Sequence, residues 1–380
     1  MYTRIFNYHR DNDQSFFLFG PRGVGKTLWL EAVVKSPNRI DLLNSRQSLS
    51  LLAVPNRLAS YVVAPNEWVV VDEVQKIPEL LDEVHRLIEK QRLRFILTGS
   101  SARNLKRVGT NLLGGRAVTE RVFPLTAEEL GEDFSLERSL KCGHLPMAYR
   151  SKSPERFLES YVATYLREEI QQEGIVRNLS GFARFLEGAS FSQAQYLNIS
   201  RLASEAGVDR KVVESYFGVL EDLLLAERLP PFRKKAHRKS DFHPKFFFFD
   251  AGVFRALRPQ GPEDEPEMVD GAALETLVYQ ELRAQNAYKR AGFQFYSWKE
   301  SNDLDVDLVL YGKNGLLAFE IKRGWRLRGG ELDGLKAFRA KFPSAQCFYV
   351  YGGSEPRVIE SIRLVPLAMF FTHTLREIFR

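Results

Sequence analysis

Along the chain the apolar positions change period several times, and each change marks an element. An unbroken apolar run from Phe16 to Phe19 predicts a buried strand, and the glycine-rich turn after it leads into a helix beginning near Lys26. Trp68 to Val71 is a second such run, ending in Asp72 and Glu73, and "LRFILTGSS" is a third that ends in polar residues. From about 130 to 195 the pattern is mostly helical, with Ser153 and Pro154 opening one helix. "LNISRLASEAGVDRKVVESYFGVL" then reads as two helices about a tight turn at Gly207. Asn198 or Ser200 caps the first, Leu202 and Ala203 face inward, and Val212, Val213, Tyr216 and Leu220 line the second. After an apolar strand in "PKFFFFD" and a Pro- and acid-rich loop, a helix runs through "GAALETLVYQELRAQN". The strand "FQFYSWKES", a hairpin turning at Gly312-Lys313-Asn314-Gly315, a helix through "LDGLKAFRAKF" and the strand "SAQCFYVYGG" complete the order.

At 380 residues the chain exceeds one ordinary core. The pattern divides it at 1–130, 131–195, 196–245 and 246–380, an α/β multidomain protein. Hydrophobic residues at 44% and charged residues at 27% fit a soluble globular protein. No apolar run approaches the roughly 18 residues a membrane helix needs, and the N-terminus lacks a signal peptide's apolar core, so a cytoplasmic location is expected, with no membrane partner. With only Cys142 and Cys347 there is neither a disulfide framework nor a zinc site. The net charge of +6 suits an anionic partner without requiring one.

The loop Gly20, Pro21, Arg22, Gly23, Val24, Gly25, Lys26, Thr27 and Leu28 fits the phosphate-loop pattern G-x-x-x-x-G-K-[ST] in the strand-loop-helix context that pattern needs. Its glycines turn backbone N–H groups inward around phosphates, Lys26 reaches the β- and γ-phosphates of ATP, and Thr27 holds Mg2+. Asp72 is the matching magnesium carboxylate at the end of an apolar strand, and Glu73 the general base for water. At the next strand end, Thr98 or Ser100 is the candidate sensor of the γ-phosphate. Arg116, in a Gly-Gly-Arg turn, reads either as an arginine finger acting across a subunit boundary or as a surface arginine pairing with Glu120.

The two-helix pattern supports a winged-helix module, in which Arg210 and Lys211 stand on the second helix among mixed charges; such modules bind either DNA or other proteins. Arg233, Lys234, Lys235, Arg238, Lys239 and Lys245 face one acid, Asp241, in the segment just beyond, and read as a hairpin gripping a phosphate backbone. In the C-terminal hairpin, Asp307, Glu320 and Lys322 stand where a restriction-endonuclease-like core binds a divalent metal and orients the attacking water, with Glu275 as a further carboxylate. The alternative is a surface hairpin with solvated charges. Seven Lys or Arg against three acids from Glu320 to Lys341 suit a DNA backbone.

As a whole, "GPRGVGKT", "VVVDEVQKIPELL", "ILTGSS", "LLGGRA" with "FPLTAEEL", "YVATYLREEI", "PKFFFFDAG", "LETLVYQEL", "DVDLVL" and "AFEIKRG" resemble a widespread prokaryotic family of ATP-binding proteins. In that family an AAA+ type ATPase core precedes a winged helix and a C-terminal domain, long filed as of unknown function, similar to PD-(D/E)xK nucleases. The likeness spans nearly the whole chain. It implies nucleotide roles for Gly25, Lys26, Thr27, Asp72 and Glu73, nuclease-like roles for Asp307, Glu320 and Lys322, and DNA handling, branched DNA included. One departure is Asp305, where the family usually has glutamate. The expected function is a DNA-associated ATPase, a homo-oligomer forming a ring or arc with a hexamer as one form, that couples Mg-dependent ATP hydrolysis to DNA binding and remodelling. The nuclease-like centre either cuts DNA or holds it. A STAND-like nucleotide switch acting through protein contacts is the competing reading.

Overall fold

Strands that are apolar on both faces pair in parallel under a cover of helices. The computed structural model describes residues 2–7, 14–100, 105, 113–166, 178–233, 243–262, 264–300 and 304–380, with the backbone alone at 165 and 166. The chain packs as two compact units, one of Phe6–Phe123 with Asp222–Leu225, the other of Met1–Ile5, Pro124–Glu221 and Ala226–Arg380. Apart from Asp222–Leu225, the expected segments 131–195, 196–245 and 246–380 therefore share one unit. Among the described residues no helix is long and apolar enough to cross a membrane.

The first unit is built on β1 (Ser15–Phe19), β2 (Arg39–Asp41), β3 (Val69–Asp72), β4 (Phe95–Gly99) and β5 (Ala117–Arg121), in the order β2-β3-β4-β1-β5. Every pairing is parallel. The central strands β1, β3 and β4 read as apolar runs because every residue in them is buried: Val69, Val71 and Leu97 join Leu80, Val84 and Leu87 of the helix Leu80–Gln91 in one core. Because β4 lies between β1 and β3, and Phe19 pairs with Gly99 while Val71 pairs with Leu97, the loops after all three strands leave at one sheet edge. Ligands of open parallel sheets bind at that edge.

In the second unit the helices Leu179–Phe191, Ile199–Ala206 and Arg210–Asp222 pack through an aromatic nest, with Phe182 and Tyr216 centroids 4.8 Å apart and Phe185 and Phe217 also 4.8 Å apart. Gly207 ends the middle helix at φ +65°, a left-handed conformation that costs a side chain but not glycine. Asn198 caps that helix by accepting from the Arg201 amide. The antiparallel pair β6 (Ala226–Leu229) and β7 (Lys245–Phe248) follows, with Leu229 opposite Lys245.

The large sheet holds β8 (Gln294–Lys299), β9 (Asp305–Gly312), β10 (Gly315–Lys322), β11 (Gln346–Tyr351), β12 (Arg357–Ile359) and β13 (Ile362–Pro366), in the order β12-β13-β11-β10-β9-β8. The β8-β9-β10 portion is antiparallel, and β10-β11 is parallel across the intervening helix Asp333–Lys341. The long helix Pro266–Tyr288 precedes β8. Gly334 lets the second helix approach β9: a Cβ there would stand 2.0 Å from the Asp305 carbonyl oxygen. Gly334→Ala is expected to destabilise the chain by about 1–3 kcal/mol through this overpacking, read as a lower denaturation midpoint in urea.

Candidate nucleotide site and ionic cluster

Two places bring the expected chemistry together. At the edge of the parallel sheet, Gly23 and Gly25 take φ +84° and +94°, the left-handed region that the loop needs to wrap. Gly20 is required for a different reason, since a Cβ would lie 2.4 Å from the Val122 carbonyl oxygen. The buried Lys26 ammonium donates to the carbonyls of Gly20 at 2.6 Å and Pro21 at 3.2 Å, while Thr27 and Leu28 are exposed at the start of the helix Lys26–Val33. Arg22 is half-buried and Val24 buried beneath the loop.

Across the edge, Thr98 Oγ1 donates to the buried Asp72 Oδ1 and accepts from the Glu73 amide at 3.2 Å. Glu73 itself takes φ +60°, a strained conformation for a side-chain-bearing residue. Its Oε2 accepts from Gln75 Nε2, which reaches Ser100 Oγ at 3.2 Å. Gly99 makes room for that amide: a Cβ there would be 2.5 Å from Gln75 Oε1, which is buried without a hydrogen-bond partner. Gln75 is a residue the pattern reading missed, although its place two positions after Glu73 is the signal. The residues suit ATP and magnesium: a glycine cradle, a buried cation that a phosphate can claim, and a hydroxyl and a carboxylate for a hard ion. Arg116 pairs with Glu89 of the helix Leu80–Gln91, not with Glu120, and its Nη1 donates to the Gly114 carbonyl at 3.1 Å.

The second place lies where β9 and β10 meet β7 and the helix Pro266–Tyr288. Asp307 and Glu320 are buried at the same end of their hairpin. Lys322 Nζ stands 2.5 Å from Glu320 Oε1 and 3.9 Å from Asp307 Oδ2. Lys245 was expected on the phosphate-gripping surface; it is instead 3% exposed, its Nζ donating to Glu275 Oε2 at 2.7 Å and Asp307 Oδ1 at 2.8 Å. A strand reverses facing at each residue, so Lys245 and Phe247 share one face of β7; Lys245 meets Glu275 and Phe247 stacks on Tyr279 one helical turn later, centroids 4.6 Å apart. Burial outweighs the net positive composition of the segment. Among the described residues no group of three His, Cys, Asp or Glu is arranged to hold a metal ion. The expected metal position between Asp307 and the glutamates therefore does not fit a metal, because a lysine ammonium takes the carboxylate oxygens there.

The charges set one another's protonation. Burial raises Asp307, but Lys245, Lys322 and the Ile321 amide at 2.9 Å outweigh it and bring its carboxyl down to about 2. Burial and then the Asp307 charge push Glu275 up to about 7 against the pull of Lys245. Burial and the same charge hold Glu320 well above the usual carboxylate range. Elsewhere, Arg210, Lys211 and Arg233 are exposed; Lys234, Lys235, Arg238 and Lys239 lie outside the described residues.

Residues 12–131 match the family model of an AAA domain, residues 133–264 a domain of unknown function (DUF8612), and residues 270–370 a second domain of unknown function (DUF4143). The N-terminal segment is thus an AAA-type, P-loop nucleotide-binding domain. No curated protein matches the chain. Among solved structures, the ORC1 protein of Aeropyrum pernix in complex with DNA is similar at 15% identity over 64% of this chain and 86% of that one, with a TM-score of 0.26. Protein VC1899 from Vibrio cholerae is similar at 11% identity over 97% and 98% of the two chains, with a TM-score of 0.25. Can2 from Sulfobacillus thermosulfidooxidans, in complex with cyclic tetra-adenylate, is similar at 11% over 96% and 99%, with a TM-score of 0.23.

The cluster has a pH signature. Glu275 holds its proton up to about 7 in the folded chain but only to its ordinary 4.5 when unfolded, so the folded state binds more protons in that window and stability falls as pH rises through it. Glu275→Gln cannot ionise and lacks this slope. Between pH 5 and pH 8 the stability difference is expected to move in the variant's favour, measured by urea denaturation at each pH.

Proposed function

We propose that the chain is a magnesium-dependent ATPase that couples hydrolysis to the binding and remodelling of DNA, branched DNA included, working as a homo-oligomer such as a hexameric ring. The ATPase reading rests on one observation above all: the glycine loop, Lys26, Asp72, Glu73 and Thr98 stand at the same edge of one parallel sheet. The loop amides and the helix N-terminus receive the phosphates, and Lys26 exchanges its two carbonyl partners for phosphate oxygens of higher charge. Magnesium, when bound by Thr27 and Asp72, neutralises phosphate charge during transfer. Thr98 fixes the orientation of Asp72 and anchors the backbone of Glu73. Glu73 takes the proton of the attacking water, and Gln75, bonded to both Glu73 and Ser100, positions it. Arg116 would serve a neighbouring subunit only after leaving Glu89.

The DNA reading is supported by two helices about a tight turn followed by a two-stranded antiparallel pair, the element order expected of a winged helix. Arg210 and Lys211 open the helix Arg210–Asp222, where the helix dipole gains nothing from cations. A phosphate at that end would gain from both dipole and cations. Beyond the cluster, Trp325 is 65% exposed with the Arg326 guanidinium 3.9 Å from its ring centroid, between Arg323 and Arg328. An exposed ring among cations suits the stacking of an unpaired base. The nuclease-like hairpin is proposed to hold DNA, not to cut it.

Lys26→Ala and Glu73→Gln are expected to lower ATP turnover by about 10²-fold or more, and Gln75→Ala by roughly ten- to a hundredfold in kcat with KM unchanged. Wild-type turnover persisting in Lys26→Ala or Glu73→Gln overturns the ATPase reading. Separately, Arg210→Ala with Lys211→Ala is expected to weaken binding to labelled duplex and branched DNA and to reduce the salt slope by about two. Slow turnover with tightly kept nucleotide and no DNA binding at low salt would favour a STAND-like switch.

A further inference from the structure

The carboxylates of Asp307, Glu320 and Glu275 have the residue types of a divalent-metal centre, yet both oxygens of Asp307 and one of each glutamate already have a partner from this chain. Asp307 Oδ1 accepts from Lys245 at 2.8 Å, and Asp307 Oδ2 accepts from the Ile321 amide at 2.9 Å. Glu275 Oε2 accepts from Lys245 at 2.7 Å, and Glu320 Oε1 faces Lys322 at 2.5 Å. A magnesium or manganese ion needs those oxygens at about 2.0–2.2 Å, and its charge would sit against two ammonium groups.

Lys245 is also held from behind. It opens β7 opposite Leu229, makes an isolated bridge with Tyr196 on its other side, and keeps its side chain only 4% exposed. The Phe246 amide donates to the Gln195 carbonyl at 3.0 Å, and the Leu197 amide to the Pro244 carbonyl at 3.0 Å, so the backbone on both sides of Lys245 is tied down. Withdrawal of the ammonium would leave Glu275 buried without its ion-pair partner and Asp307 with only Lys322 at 3.9 Å.

We infer that Lys245 is a tethered substitute for a divalent cation, and that the hairpin centre is a closed ionic lock whose carboxylates bind magnesium or manganese only when this ammonium is removed. The lock joins the hairpin carrying the basic segment to the large sheet. It involves no residue of the nucleotide site; it lies in the hairpin proposed to hold DNA, and its test uses neither nucleotide nor DNA, so its failure is distinguishable from failure of the proposed function.

The probe is Mn2+ alone, titrated into the nucleotide-free full-length chain and followed by the electron paramagnetic resonance signal of free Mn2+ and by thermal melting. Wild type is expected to show no Mn2+ site that Asp307→Asn or Glu320→Gln removes. Lys245→Met, whose unbranched side chain stops at the Cε position and leaves the place of the ammonium empty, is expected to gain one site at least tenfold tighter than any in wild type, to melt higher with Mn2+, and to lose both effects with Asp307→Asn. A wild-type site abolished by Asp307→Asn or Glu320→Gln overturns the inference, as does a folded Lys245→Met that gains none. If Lys245→Met does not fold, the wild-type comparison decides alone, and Lys245→Gln repeats the gain-of-site arm.

Discussion

Carboxylates cannot be gathered at the buried end of a hairpin without cations within reach, and much of the larger unit is organised by that requirement. Removing an ionised group from water is costly, and the cost is recovered only by close, well-directed partners. Lys322 supplies one cation from the hairpin itself, two residues after Glu320. The other comes from Lys245, 62 residues before Asp307, which forces β7 to lie against both the hairpin and the helix Pro266–Tyr288. Other bonds then reinforce the placement. Gln193 donates to Thr276 at 2.6 Å while accepting from the Phe248 amide at 2.9 Å, and the Phe232 amide donates to the Ser297 carbonyl of β8 at 2.6 Å. The hairpin β6–β7 is thereby joined to the large sheet at its base, while its connecting segment carries the basic run.

The parallel sheet of the first unit solves a related problem with fewer charges. Asp72 is buried at a strand end, and its partner is the neutral hydroxyl of Thr98 on the adjacent strand. A neutral donor orients the carboxylate without neutralising it, so its charge stays available to a cation. Glu73, in a left-handed conformation, is kept in place by the hydrogen bond that its backbone N–H donates to Thr98 Oγ1 and by Gln75. The two sites thus use the same residue types to opposite ends: one leaves its carboxylate charge unspent, the other cancels it within the chain.

How much of this was legible follows from the range of the interactions. The strands around the phosphate loop could be read because continuous apolar runs ended in motif residues, and the order of β3, β4 and β1 then brought Asp72, Thr98 and the loop to one edge. Gly207 marked the turn between two helices, and its positive φ is the physical reason. Asp307, Glu320 and Lys322 were placed at one hairpin end by a four-residue turn and alternating strands. Lys245 was misread because composition treats lysine as solvent-seeking; only the alternation of "KFFFF" puts it on the face that Phe247 buries. The Arg116 partner was missed for a simpler reason. Glu89 lies 27 residues away, and a surface ion pair leaves no periodic trace.

A set of ligands does not by itself name the cation it holds. Aspartate and glutamate at the ends of adjacent strands favour positive charge, and a metal ion or an ammonium satisfies them by the same electrostatics. The two differ in exchange. A metal arrives from solution, leaves open positions for water and can polarise it; a lysine is delivered by folding, fills its place and offers protons that its partners already use. Covalent attachment also makes the cation a mechanical link, since any displacement of β7 is felt at Glu275 and Asp307. In this chain Lys245, Glu275 and Asp307 thus form a joint, and β7 is coupled to the large sheet by charge as well as by packing.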